Sequence, residues 1–148
     1  MGDPSARGVL GRPRRWRGVR DPLLVGGAVA ALTLALHLRD PHASGSWGGC
    51  PWLALTGRYC PGCGGLRAVN DLTDGHVIAA LSSNLVFVLS VPLLLVWWLR
   101  WAQRSWTGAP ATRVTSPRAR TVLVAAAVAP TVAFTVLRNT PAGAWMAP

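Results

Sequence analysis

VIAALSSNLVFVLSVPLLLVWWL, residues Val77 to Leu99, carries no formally charged side chain. It is longer than the roughly 20 apolar residues that cross a bilayer core. It is also apolar on every side, whereas a helix of a soluble protein needs a polar outer face. Two further blocks share this character: PLLVGGAVAALTLALHL, Pro22 to Leu38, and TVLVAAAVAPTVAFTVL, Thr121 to Leu137. Both sit near the lower length limit of about 17 residues and draw on their flanks. The pattern predicts an all-α integral membrane protein with three transmembrane helices, over 22–38, 77–99 and 121–137.

Arginines precede the first block in RPRRWRG, as they do in secretory and twin-arginine signals. No small-x-small cleavage site follows the block closely, so an uncleaved span is expected.

The other basic residues give an orientation. Arg7, Arg12, Arg14, Arg15, Arg17 and Arg20 precede the first span, and Arg100, Arg104, Arg113, Arg118 and Arg120 separate the second from the third. Only Arg39, Arg58, Arg67 and Arg138 fall on the opposite side. Eleven against four places the N-terminus in the cytoplasm and the C-terminus outside. Trp97, Trp98 and Trp101 mark the inner end of the second span, as interfacial aromatics do. The expected organisation is a basic, disordered cytoplasmic tail over 1–21, an extracytoplasmic loop with a short helix over 39–76, a basic cytoplasmic loop over 100–120 and an extracytoplasmic tail over 138–148.

The formal net charge of +10 invites a nucleic-acid reading. The charges flank apolar blocks instead of forming one basic face, and no nucleic-acid-binding motif is present, so that class is excluded. The basic residues are all Arg and the acidic ones all Asp, and Ala, Gly and Pro are abundant. Such usage points to a GC-rich bacterial genome and hence to the bacterial plasma membrane. The expected partners are the lipid bilayer and a membrane protein or a second copy of the chain.

The loop holds all three cysteines, Cys50, Cys60 and Cys63, on the side that permits disulfides. In CPWLALTGRYCPGCGG, each Cys-Pro step keeps its cysteine out of helical geometry. Gly62, Gly64 and Gly65 permit tight turns. LRAVNDLTD then reads as a short interfacial helix, with Leu66, Val69 and Leu72 on one face. Cys63 lies just before its start, where backbone N–H groups favour a thiolate. Arg67, one turn on, adds positive charge, and Asp71 is placed to pair with it.

Cys50-Pro51, Thr56-Gly57, Cys60-Pro61-Gly62-Cys63-Gly64, Arg67-Ala68, Gly75, Ala80 and Asn84, with a later Arg138-Asn139, form a recognisable set. From Cys50 to Pro92 the chain resembles a bacterial family of small membrane proteins of unknown function. His76 stands where the resemblance leads one to expect an acidic residue. The resemblance implies an architecture and no activity.

Three readings of the cysteines stand. One is a structural cap or partner-binding module. Another is a thiol–disulfide exchange site with Cys63 as the reactive thiol, Cys60 or Cys50 as its partner, and Arg67 as a helper. A Cys50–Cys60 or Cys50–Cys63 bond would contribute about 3 kcal/mol in the chain-entropy model. The third is a zinc-binding loop, in which Cys50 joins the Cys60–Cys63 knuckle and His42 or His76 completes a tetrahedron. The redox motif lacks the βαβ scaffold that usually carries it. No hydrolytic triad or Walker-type phosphate loop is present.

Within the spans, Asn84 is the strongly polar amide and needs a partner. Arg138 and Asn139, at the outer end of the third span, are the structural candidates. Pro92 and Pro130 mark sites for kinks. Gly27, Ala31 and Ala35, and likewise Ala125, Ala129 and Ala133, form small-residue ridges that would let the first and third spans touch.

Overall fold

The computed structural model describes residues 15–43, 45–110 and 116–147, and these are helical with connecting turns. Five α-helices, α1 (Arg15–Leu38), α2 (Pro51–Thr56), α3 (Gly65–Thr73), α4 (Val77–Thr107) and α5 (Pro117–Leu137), are followed by a 3-10 helix, Pro141–Met146. Helices α1, α4 and α5 are long and apolar enough to cross a membrane, which bears out the three-span reading. Their Leu and Val side chains are largely exposed, as surfaces bathed by lipid must be.

Helix α4 is the axis of the molecule: α1 packs along it, and α5 meets it too. Near its C-terminal end, the Trp98 indole N–H donates to the Pro22 carbonyl at 3.1 Å. A partly buried indole N–H needs an acceptor, and this carbonyl supplies one and orients the ring. Gly26 makes room for it: a Cβ there would lie 2.6 Å from Trp98. At the opposite end, the Asn70 amide donates to the Leu36 carbonyl at 3.0 Å, and His37 Nδ1 meets Asp74 at 3.0 Å. Helices α1 and α4 are therefore antiparallel, with α3 folded across the end where α1 finishes and α4 begins.

The core is concentrated in this cap and not between the spans. The largest fully buried side chains are Arg138, Met146, Asn84 and Pro22. The buried residues of α3 are Ala68, Asn70 and Asp71, whereas Leu66 is exposed. At a membrane surface the apolar face can turn outward, and the polar face turns inward to find hydrogen-bond partners.

Asn84 interrupts α4 with extended backbone, φ −160° and ψ 92°. Its Oδ1 accepts the N–H of Phe87 at 3.0 Å, so Asn84 caps the helix that restarts after it. The break falls at Asn84, not at Pro92 or Pro130, which lie inside their helices.

Helix ends differ from the expected span limits because backbone hydrogen bonding continues beyond the apolar block into the interface. Helix α1 begins at Arg15, inside the 1–21 segment expected as a tail, and residues 1–14 lie outside the described residues. Helix α4 runs on to Thr107 and α5 starts at Pro117, which shortens the 100–120 loop; 111–115 also lie outside the description. The small-residue ridges do not meet. Ala31, Ala125, Ala129 and Ala133 are exposed, and no neighbour faces Gly27, because the aromatic and glycine contacts have seated α1 on α4 instead.

Candidate functional site

Cys50 immediately precedes α2, whose first residue is Pro51, and Cys60 and Cys63 flank the turn before α3. Cys63 N–H donates to the Cys60 carbonyl at 3.2 Å, and Gly64 then adopts φ 78°, a conformation that only glycine takes freely. This turn aims both sulfurs at Cys50. The Cys60–Cys63 sulfurs are 3.0 Å apart, those of Cys50 and Cys60 3.6 Å, and all three lie within 4.8 Å of one another. Cys63 is buried, while Cys50 and Cys60 are half-buried.

The two flanking thiols have opposite electrostatics. Burial, with the neighbouring thiols adding to it, pushes Cys63 up to about 12. Cys50 is lowered, first by the backbone N–H of Leu53 and then by Cys63. Neither α2 N–H closes a side-chain cap of full hydrogen-bond geometry on Cys50. This direction runs against the thiolate expected at Cys63. Its sulfur receives the N–H of Cys60, which stands before it, and Gly64 caps α3, one residue beyond Cys63.

Three side chains from the spans hold the cysteine turn. Arg138, only 1% exposed, donates from Nη1 to the carbonyls of Cys63 at 3.0 Å and Cys60 at 3.2 Å. Its Nη2 donates to Met146 at 2.9 Å and to Ser83 at 3.4 Å. The guanidinium also stacks near Phe134, at 4.7 Å from the ring centroid, and near Tyr59, at 5.4 Å. Asn84 donates to the carbonyls of Pro61 at 2.8 Å and Cys63 at 3.1 Å. Asn139 takes the N–H of Tyr59 and donates to its carbonyl, both at 2.9 Å. The sequence candidates Cys50, Cys60, Cys63, Asn84, Arg138 and Asn139 are therefore brought together.

Arg67 is not among them. Its Nε donates to the Pro41 carbonyl at 3.4 Å. Asp71 does not pair with it: Asp71 accepts from the Ser83 hydroxyl at 3.0 Å and meets His42 Nε2 at 3.4 Å. His42 reaches Asp40 through Nδ1 at 2.8 Å and holds that carboxyl below its usual range. This Asp40–His42–Asp71–Ser83 chain ties the 39–50 loop to α3 and α4. Sequence reasoning missed it because Ser83 carries no motif, and the spacing of Arg67 and Asp71 suggested a simpler pair. His42 is thereby engaged away from the sulfurs, and His76 sits at the α4 start as a backbone cap. Among the described residues neither histidine joins the cysteine cluster.

The three cysteines offer three convergent sulfur ligands, which a metal ion can use. The same distances let a disulfide form between Cys60 and either neighbour with small movements. A family model described as "Protein of unknown function (DUF2752)" matches residues 50–98. The matched segment begins at Cys50 and includes all three cysteines and Asn84, while Arg138 lies beyond it. No curated protein and no solved structure matches the chain. From Cys50 to Trp98 the chain is thus similar to a family of proteins of unknown function, in agreement with the resemblance carried by its cysteine motif.

Proposed function

We propose that this integral membrane protein holds a soft or borderline metal ion, zinc foremost, on Cys50, Cys60 and Cys63. The observation that carries the reading is the convergence of all three sulfurs within 4.8 Å. A disulfide needs two thiols, whereas a metal uses a third. With zinc–sulfur bonds of about 2.3 Å, sulfurs at two corners of a tetrahedron lie about 3.8 Å apart. The Cys50–Cys60 separation of 3.6 Å is near that edge, and the Cys60–Cys63 pair at 3.0 Å has to open by less than 1 Å. The fourth position falls to water or an incoming ligand, the pattern of sites that exchange ligands. The arginine distribution supports an extracytoplasmic cap in a bacterial plasma membrane.

Purification of the full chain in detergent, under reducing conditions without chelator, tests the reading. About one metal equivalent per chain is expected by elemental mass spectrometry. Its removal by chelator should expose the three thiols to alkylation together, and Cys→Ser at any of the three positions should weaken retention. Metal-free protein with a stable disulfide would overturn it.

The 3.0 Å Cys60–Cys63 contact favours a second reading, thiol–disulfide exchange. The two thiols would transfer two electrons and two protons to a disulfide of an extracytoplasmic protein, forming their own disulfide and leaving that protein's two thiols. Alkylation before and after reduction separates the two readings. Thiols that are neither protected by metal nor exchangeable would leave a purely structural cap or partner-binding surface.

A further inference from the structure

We infer that Arg138 sets the charge, and with it the sulfur count, of the bound ion: a divalent cation on three sulfurs, a monovalent cation on two. The inference rests on the metal reading and deepens it. Arg138 is a permanent cation buried at 1% exposure, and four neutral carbonyls receive its hydrogen bonds. Among the described residues, the ion pairs found join His37 to Asp74 and His42 to Asp40 and Asp71; none includes Arg138. Carbonyls solvate a guanidinium but do not neutralise it, and an uncompensated charge in a low-dielectric site is costly. The cysteine turn that Arg138 grips becomes a source of negative charge once its thiols ligate an ion, and Nη1 binds the carbonyls of both Cys60 and Cys63.

Charge balance then selects the complex. Three metal-bound thiolates and a divalent ion sum to one negative charge, which Arg138 cancels. Three thiolates on a monovalent ion leave one negative charge uncancelled, whereas two thiolates on that ion balance Arg138 and leave the third thiol free. The residue acts through position: it touches the ligands' backbone and not the metal.

The test uses the full chain in detergent, reduced and metal-free, loaded with either Cd(II) or Ag(I). Thiols left unprotected are counted by alkylation and mass spectrometry, and thiolate-to-cadmium charge-transfer absorption gives an independent reading of sulfur ligation. Wild type should protect three thiols with Cd(II) and two with Ag(I). Arg138→Lys keeps the charge and should keep three with Cd(II). Arg138→Gln should lose one sulfur ligand and bind Cd(II) about 10–100-fold more weakly, as loss of an outer partner typically does. Circular dichroism guards against a misfolded Gln variant, and the wild-type Ag(I) count does not depend on any variant. Equal protection of three thiols by Cd(II) and Ag(I), or an unchanged three-sulfur count in folded Arg138→Gln, would overturn the inference while metal binding stood. Failure of wild type to bind Cd(II) would overturn the metal reading itself, and the inference with it.

Discussion

Arg138 and Asn84 donate to the same oxygen, the carbonyl of Cys63, at 3.0 and 3.1 Å. The two residues belong to different spans: Asn84 breaks α4, and Arg138 caps α5. A carbonyl has two lone pairs, and here each finds a donor. The cysteine turn is thus bolted to two membrane helices through its backbone, which leaves the sulfurs free for chemistry.

Asn84→Leu should remove the two bonds to the turn and the cap on Phe87. With each hydrogen bond contributing about 1 kcal/mol and the cap a similar amount, the loss is about 2–3 kcal/mol. Thermal unfolding in detergent should show it, and Cys63 should become easier to alkylate. Asn84→Asp keeps the cap acceptor but loses the donor, so it should fall between Leu and wild type. A Leu variant as stable as wild type would mean that the turn is held by something else.

In reduced, metal-free protein near pH 8, Cys50 should react with iodoacetamide well before Cys63. The Cys63 thiol, pushed up to about 12 by burial, holds its proton at this pH, whereas the Cys50 thiol is lowered. Its folded-state reactivity should rise with pH until about 12. Unfolding should return Cys63 toward ordinary thiol behaviour and narrow the gap. Faster labelling of Cys63 than of Cys50 in the folded chain would contradict the burial argument.

The spans were readable because an uncharged stretch such as Val77–Leu99 is a one-dimensional signal. Asn84 and Arg138 also stood out, since polar groups at membrane depth must find partners. Their partners did not, because backbone carbonyls carry no residue-specific mark. Arg67 misled for a related reason: spacing along α3 places it near Asp71, but the loop carrying Pro41 and His42 folds over and claims both. Helix α2 went unread, being a single short turn set by Pro51 and ended by Gly57.

Gly26→Leu should displace the Trp98 indole, since even a Cβ at this position meets the ring at 2.6 Å. Overpacking of this kind costs about 1–3 kcal/mol. Gly27→Leu is the matched control: its Cβ meets open space, so its stability should change little. Thermal unfolding of both variants checks the α1–α4 seam, and equal loss in the two would refute it.

Reporter fusions after Arg20 and at Arg113 should give cytoplasmic signals, and one near Ser46 an external signal. The arginine asymmetry motivates this expectation. An external Arg113 would reverse the compartment assigned to the cysteine cap.

The reach from Cys63 to Arg138, 75 residues along the chain, has a consequence for biosynthesis. At about 5–20 residues per second, the cysteines leave the ribosome about 4–15 s before their clamp does. During that interval the third span has not been inserted, and the turn lacks Arg138, Asn139 and the Met146 carbonyl that locks the guanidinium. The nascent cap and its thiols are thus unclamped together, and insertion of the last span closes that window.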